Sequence, residues 1–275
     1  MELKRGRIWK KHIYVKYLKL AKKSSKKIFL LGIVITILML LILATNVKGE
    51  EKKGLIGYVD VKSSLRVRSE AVTNSKVIGH LKPGDLVEIQ KEDEEFYQII
   101  FESNGQSKTG YVSNKYISIP NKEGYQLIAA SVITSKNSSE NRKFNMSLAC
   151  EKLNGLTLEP GEQFDWYGAN GVGKANKANG FKKAKVIMNK KYVEGYGGGV
   201  CQVSTTLYNC IYNLDITPDE IHHHSLPSSY VTKGMDATVA YPAKNFKFTN
   251  SMDYTIEFEA FTDEEKVVIL CFKNA

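Results

Sequence analysis

The sequence predicts an α+β domain preceded by a small all-β barrel and one N-terminal transmembrane helix, and three patterns along its 275 residues carry that prediction. An uninterrupted apolar run fills residues 28–47, short period-two runs fill 54–119, and residues 125–275 combine helical spacing with strand alternation. With 25% charged and 43% hydrophobic positions, the composition is that of a folded chain long enough for more than one domain.

The net charge of +10 is local. Residues 1–27 hold eleven Lys and Arg against the single acid Glu2, and the rest of the chain is balanced. The charge therefore marks a cytoplasmic tail rather than a nucleic-acid-binding face, and no nucleic-acid partner is expected. The run IFLLGIVITILMLLILATNV, residues 28–47, is long enough to cross a bilayer and lacks the short apolar core and A-x-A site of a cleaved signal. An uncleaved anchor is expected, with the tail in the cytoplasm against the cytoplasmic membrane and everything after linker 48–53 outside the cell.

In residues 54–119, LIGYVDV, SLRVRS, KVIGHL, DLVEIQ, YQIIF and GYVSNKYISI alternate Val, Ile and Tyr with polar residues, punctuated by Gly84, Gly105 and Gly110. This is the signature of a small β-barrel. IPNKEG (119–124) reads as a linker. In the remainder, Met146, Ala149, Cys150 and Leu153 lie at i, i+3, i+4 and i+7, one apolar helix face, with Gly155 as a stop. YTIEFEAF and KVVILCF around TDEE predict a terminal β-hairpin containing Cys271.

The chemistry is concentrated at EGYGGGVCQVSTTLYN. Val203, Thr206, Leu207, Cys210, Ile211 and Leu214 recur at helical spacing, which puts Cys201 in the first turn of an amphipathic helix and Cys210 on its buried face. A thiol there feels the positive end of the helix dipole, which favours thiolate, and the glycines permit close backbone approach and oxyanion-binding N–H groups. A tight strand-to-helix turn with an incidental cysteine is the plain alternative. The candidate bases lie in IHHHSLP: in an extended segment His222 and His224 share one side and His223 points away, with Asp236 available to hold a ring. Cys201, His222 and His224 also make a possible zinc set, but no HExxH or paired CxxC supports it, and no metal is expected.

Two resemblances follow. LRVR (65–68), GDLV (84–87) and GYV (110–112) resemble the bacterial SH3-like domain, with Arg66 in place of the usual Asn and Tyr111 in place of the usual Trp. GGGVCQVSTTLYN, HSLPSSYV, GMDATVAY, FKFTNSMDY, RKFN and LEPGEQF resemble, in order, the blocks of the VanW family, with Ile221 and His223 replacing the Arg and Pro of its histidine block.

These resemblances imply peptidoglycan stem peptides as partners and L,D-transpeptidase chemistry without a cofactor. Cys201 is the nucleophile and His224 the base, with His222 as second choice. Asp236 orients the base, and N–H groups around Gly199, Cys201 and Gln202 bind the oxyanion. Arg142, Ser204 and Thr205 are expected to contact substrate. A cysteine endopeptidase or carboxypeptidase, and a non-catalytic peptidoglycan-binding module linked to glycopeptide susceptibility, are the rival readings.

Overall fold

The computed structural model describes residues 55–275 except 104, 189, 190 and 264, and of 102, 103 and 188 the backbone alone. Period-two alternation folds residues 55–118 into a seven-stranded antiparallel sheet. Its strands are β1 (Leu55–Val59), β2 (Leu65–Arg68), β3 (Val77–Leu81), β4 (Leu86–Glu92), β5 (Phe96–Ser103), β6 (Gln106–Ser113) and β7 (Ile117–Ser118). The order β3-β2-β6-β5-β4-β1-β7 wraps Val59, Val67, Ile99, Phe101 and Val112 into one core.

The second part is built on a four-stranded antiparallel sheet ordered β8-β16-β15-β9, from β8 (Tyr125–Thr134), β9 (Leu156–Leu158), β15 (Ile256–Asp263) and β16 (Lys266–Asn274). Helix α1 (Glu140–Leu153) packs on β15, and α2 (Val200–Tyr212) on β8 and β16. Between them run the small sheet of β10 (Gln163–Asp165), β13 (Pro218–Glu220) and β14 (Lys247–Thr249), and the isolated ribbon of β11 (Lys183–Met188) and β12 (Lys191–Tyr196).

Strand β16 explains why KVVILCF has no polar alternation. Val267, Ile269 and Cys271 face the helices, while Val268, Leu270 and Phe272 meet Tyr58, Ile56 and Leu86 of the barrel. A sheet covered on both faces reads as a continuous apolar run. Lys266 to Asp60 and Lys62 to Glu265, both at 2.7 Å, rim this contact. The barrel is therefore the second cover of the sheet.

Two expectations are corrected. The described residues are mostly β-sheet with two α-helices, so the expected α+β description gives way to a sheet-dominated one. The transmembrane helix, and the single-pass membrane location built on it, find no support: among the described residues no helix is long and apolar enough to cross a membrane. The run 28–47 that suggested the span lies, with the tail and linker, outside the described residues.

Candidate functional site

The three glycines before Cys201 are required by packing. Gly197 and Gly199 have φ of 80° and 109°, which L side chains rarely adopt. A Cβ on Gly198 would lie 2.6 Å from the Lys185 carbonyl and 2.8 Å from Ala184. The turn is clamped by Asn145, fully buried on α1, which donates to the carbonyls of Lys182 and Gly198 and accepts the Lys182 N–H. The chain is thereby delivered into α2 with Gly199 as N-cap and Cys201 in the first turn.

Along α2, residues at i, i+4 and i+8 meet alternate carbonyls of the extended segment 235–239. Cys201 Sγ donates to Val239 O at 3.4 Å and Asn209 Nδ2 to Met235 O at 2.8 Å; between them Thr205 Oγ1, which donates to Cys201 O at 2.7 Å, lies 3.3 Å from Ala237 O. Ser204 adds a 2.6 Å bond to Ala237 O, and the Ala237 N–H returns to Thr205 Oγ1 at 3.0 Å. Ser204 and Thr205 are fully buried in this ladder. Their expected substrate contact is replaced by a structural one.

The same ladder carries Asp236 to the histidines. His224 Nδ1 lies 2.7 Å from Asp236 Oδ2, which also accepts the His224 backbone N–H at 2.7 Å. His223 Nδ1 meets the Asp236 carbonyl at 2.7 Å, although its side chain is half exposed. His222 instead pairs with Glu220 at 2.9 Å. The alternation rule fails because residues 221–224 do not form a strand. His222 thus turns to Glu220 rather than to Asp236, and the set Cys201, His222 and His224 is not assembled as a zinc site. Among the described residues no cluster of three or more His, Cys, Asp or Glu side chains is disposed to hold a metal.

Cys201 and His224 line one groove of about 1030 Å³, together with Arg142, Tyr230 and the β11–β12 ribbon. Burial of Asp236 pushes its carboxyl up, but the bonds from His224 outweigh that and hold it below the usual range. Burial pushes the Cys201 thiol up; the Val239 contact and the charges of Arg142 and Lys244 oppose this without reversing it. The direction is opposite to the one expected from the helix dipole: burial favours the thiol over the thiolate. Cys150, buried in the core, is pushed up to about 12, and burial also raises Cys210 and Cys271. All four cysteines are free.

The oxyanion expectation changes in one position: the Gln202 N–H is spent on the Gly199 carbonyl at 2.9 Å. The Gln202 side chain, buried, accepts from Arg142 Nη2 at 3.0 Å and donates to Thr134 O at 2.8 Å. It fixes the guanidinium at the groove without neutralising it. Neither Gly199 nor Cys201 has a backbone partner for its N–H among the described residues.

Sequence reasoning missed Asn145, Asn209, Gln202 as a side-chain bridge, and Tyr230, whose ring meets that of His224 edge-on at 6.4 Å. It also missed two buried atoms of groove-lining residues, Trp166 Nε1 and Thr238 Oγ1, which have no hydrogen-bond partner among the described residues. The buried polar residues in VSTTLYN were the available signal: an amphipathic helix that hides Ser, Thr and Asn requires partners across the core.

Residues 141–272 match the protein family described as VanW like protein, and residues 63–118 the one described as bacterial SH3 domain. The chain is 32% identical over 123 residues to the uncharacterized protein YoaR of Bacillus subtilis, covering 45% of this chain and 40% of that one. It is 32% identical over 134 residues to the vancomycin B-type resistance protein VanW of Enterococcus faecalis, covering 47% of this chain and 48% of that one. Each match thus spans less than half the length of the curated relative. The chain carries a bacterial SH3-like domain and, after it, a VanW-like domain that holds the groove with Cys201 and His224.

Proposed function

We propose that the chain is a cell-wall enzyme, an L,D-transpeptidase acting on peptidoglycan stem peptides through a thioester on Cys201. The observation that carries this reading is the placement of Cys201 and His224 in one groove, with His224 Nδ1 held by Asp236. Nδ1–H donated to the carboxylate leaves Nε2 as the proton acceptor. The similarity to a vancomycin B-type resistance protein supports a setting in cell-wall chemistry.

Because burial favours the thiol, deprotonation accompanies attack: the S–H proton passes to His224 Nε2 as sulfur bonds the carbonyl carbon of the third stem residue. The oxyanion is met by the N–H groups of Gly199 and Cys201. The tetrahedral species collapses, the bond to the terminal D-alanine breaks, and the leaving amine takes the proton from His224. Arg142, held by Gln202 and without a carboxylate partner among the described residues, receives a stem carboxylate. An amine of a second stem then displaces sulfur, forming the cross-link. The thioester conserves the acyl energy, so no nucleotide is consumed.

The test is incubation of the purified full chain, wild type and Cys201→Ala, with disaccharide-tetrapeptide, followed by mass spectrometry. Wild type alone is expected to release D-alanine and form a dimer. Trimmed tripeptide as the sole product would mean a carboxypeptidase; cutting of cross-linked dimer alone, an endopeptidase. No reaction on any of these substrates would leave a binding module.

A further inference from the structure

The β11–β12 ribbon pairs with no other strand among the described residues, although two strands alone are marginal in water. It lines the groove from Lys183 to Ile187 and at Tyr192, Glu194 and Tyr196. Its cross-strand partners there are Lys183 with Tyr196, Lys185 with Glu194, and Ile187 with Tyr192. The row starts one residue before the glycine turn and runs outward for about 13 Å, four residues at roughly 3.3 Å each. Its inner end is thereby tied to the turn that delivers Cys201.

The chemistry of that row is unspent. Tyr192 is 65% exposed and Tyr196 39%, and neither Lys183 nor Lys185 has a carboxylate within 4.0 Å among the described residues. Lys183 Nζ lies 5.6 Å from the centre of the Tyr196 ring, which holds the cation at the groove without neutralising it. Arg142, held by Gln202 at the same groove, is the anion contact assigned above to the first stem. A reaction that joins two stems needs two such seats.

We propose that the groove face of the β11–β12 ribbon is the acceptor subsite, seating a second, extended stem peptide that carries free carboxylates. Lys183 and Lys185 meet those carboxylates, and Tyr192 and Tyr196 cover the apolar part of the chain. This rests on the acyl-transfer reading above. In the step it serves, the acceptor's side-chain amine uses its lone pair to form the C–N bond, the C–S bond breaks with its pair on sulfur, and the amine proton returns through His224 to Cys201. Nothing further is consumed.

The test uses the full chain with disaccharide-tetrapeptide and compares wild type with Lys183→Glu/Lys185→Glu and, separately, with the less disruptive Tyr192→Ser. Mass spectrometry reads the ratio of cross-linked dimer to trimmed tripeptide, because a thioester without an acceptor is left to water. The ratio is expected to fall at least tenfold in the charge-reversed variant and severalfold in Tyr192→Ser. An unchanged ratio in both, or equal loss of dimer and tripeptide, overturns the acceptor subsite while leaving the acyl-transfer reading standing. If wild type releases no D-alanine, that reading fails first, and the subsite with it.

Discussion

Asp236 holds His224 twice through one oxygen: Oδ2 accepts both the ring Nδ1–H and the backbone N–H, each at 2.7 Å. Ring and main chain are fixed together, so the carboxylate sets the tautomer and the direction of Nε2. Asp236→Asn keeps the shape but donates an amide where an acceptor is needed. It is expected to lower turnover on tetrapeptide by at least ~10²-fold, as loss of the orienting carboxylate does in a Ser-His-Asp triad, with KM changing far less than kcat.

The same pair makes stability depend on pH. Since the folded-state carboxyl of Asp236 is held low, its contribution is present above the unfolded value of about 3.9 and is lost as pH falls through the folded one. Urea unfolding at pH 5 should show wild type more stable than Asp236→Asn, and the margin should close as the pH falls below about 4. A margin that widens on acidification would contradict the assignment.

Among the cysteines, Cys201 alone is partly exposed; Cys150, Cys210 and Cys271 are buried. Iodoacetamide on the native protein should therefore map to Cys201, with a rate that keeps rising beyond the pH at which a free cysteine levels off. Arg142→Met should slow it further at neutral pH, because that guanidinium favours the thiolate. Modification of Cys150 before Cys201 would refute the burial pattern.

The barrel and the four-stranded sheet share one apolar contact, so they should unfold in a single transition. Leu270 is 2% exposed within it. Leu270→Ala is expected to cost about 2–5 kcal/mol, read by urea titration, and Leu270→Asp to split the transition in two or prevent folding.

The α2 ladder is stabilising apart from any chemistry. Asn209→Ala should cost about 1–3 kcal/mol by leaving the Met235 carbonyl unpaired, while the Thr205 carbonyl keeps its helical partner. Calorimetry should show a lower Tm, by roughly 2–4 °C per kcal/mol.

What was legible in the sequence had short-range causes. Met146, Ala149, Cys150 and Leu153 share one buried face because helical spacing decides it locally, and β15 and β16 form the expected hairpin. What was not legible depended on distant partners. Nothing in KVVILCF says that a barrel covers its second face, and nothing near Ser204 says that Ala237 will bond it. The thiol was misread because dipole and burial pull it in opposite directions, and only the fold reveals that burial prevails. His222 was misread because the alternation rule applies to strands, and Glu220 was nearer.

The α2 ladder works as a vernier. Four helical residues advance about 6.0 Å and two extended residues about 6.6 Å, so the two scales drift by roughly 0.6 Å per rung. The rung lengthens from 2.8 Å at Asn209 and Met235 to 3.4 Å at Cys201 and Val239. A sulfur atom, larger and on a longer bond than oxygen, spans that gap as a matter of course. Cys201→Ser shortens this side chain as well as changing the nucleophile, so alanine is the cleaner comparison.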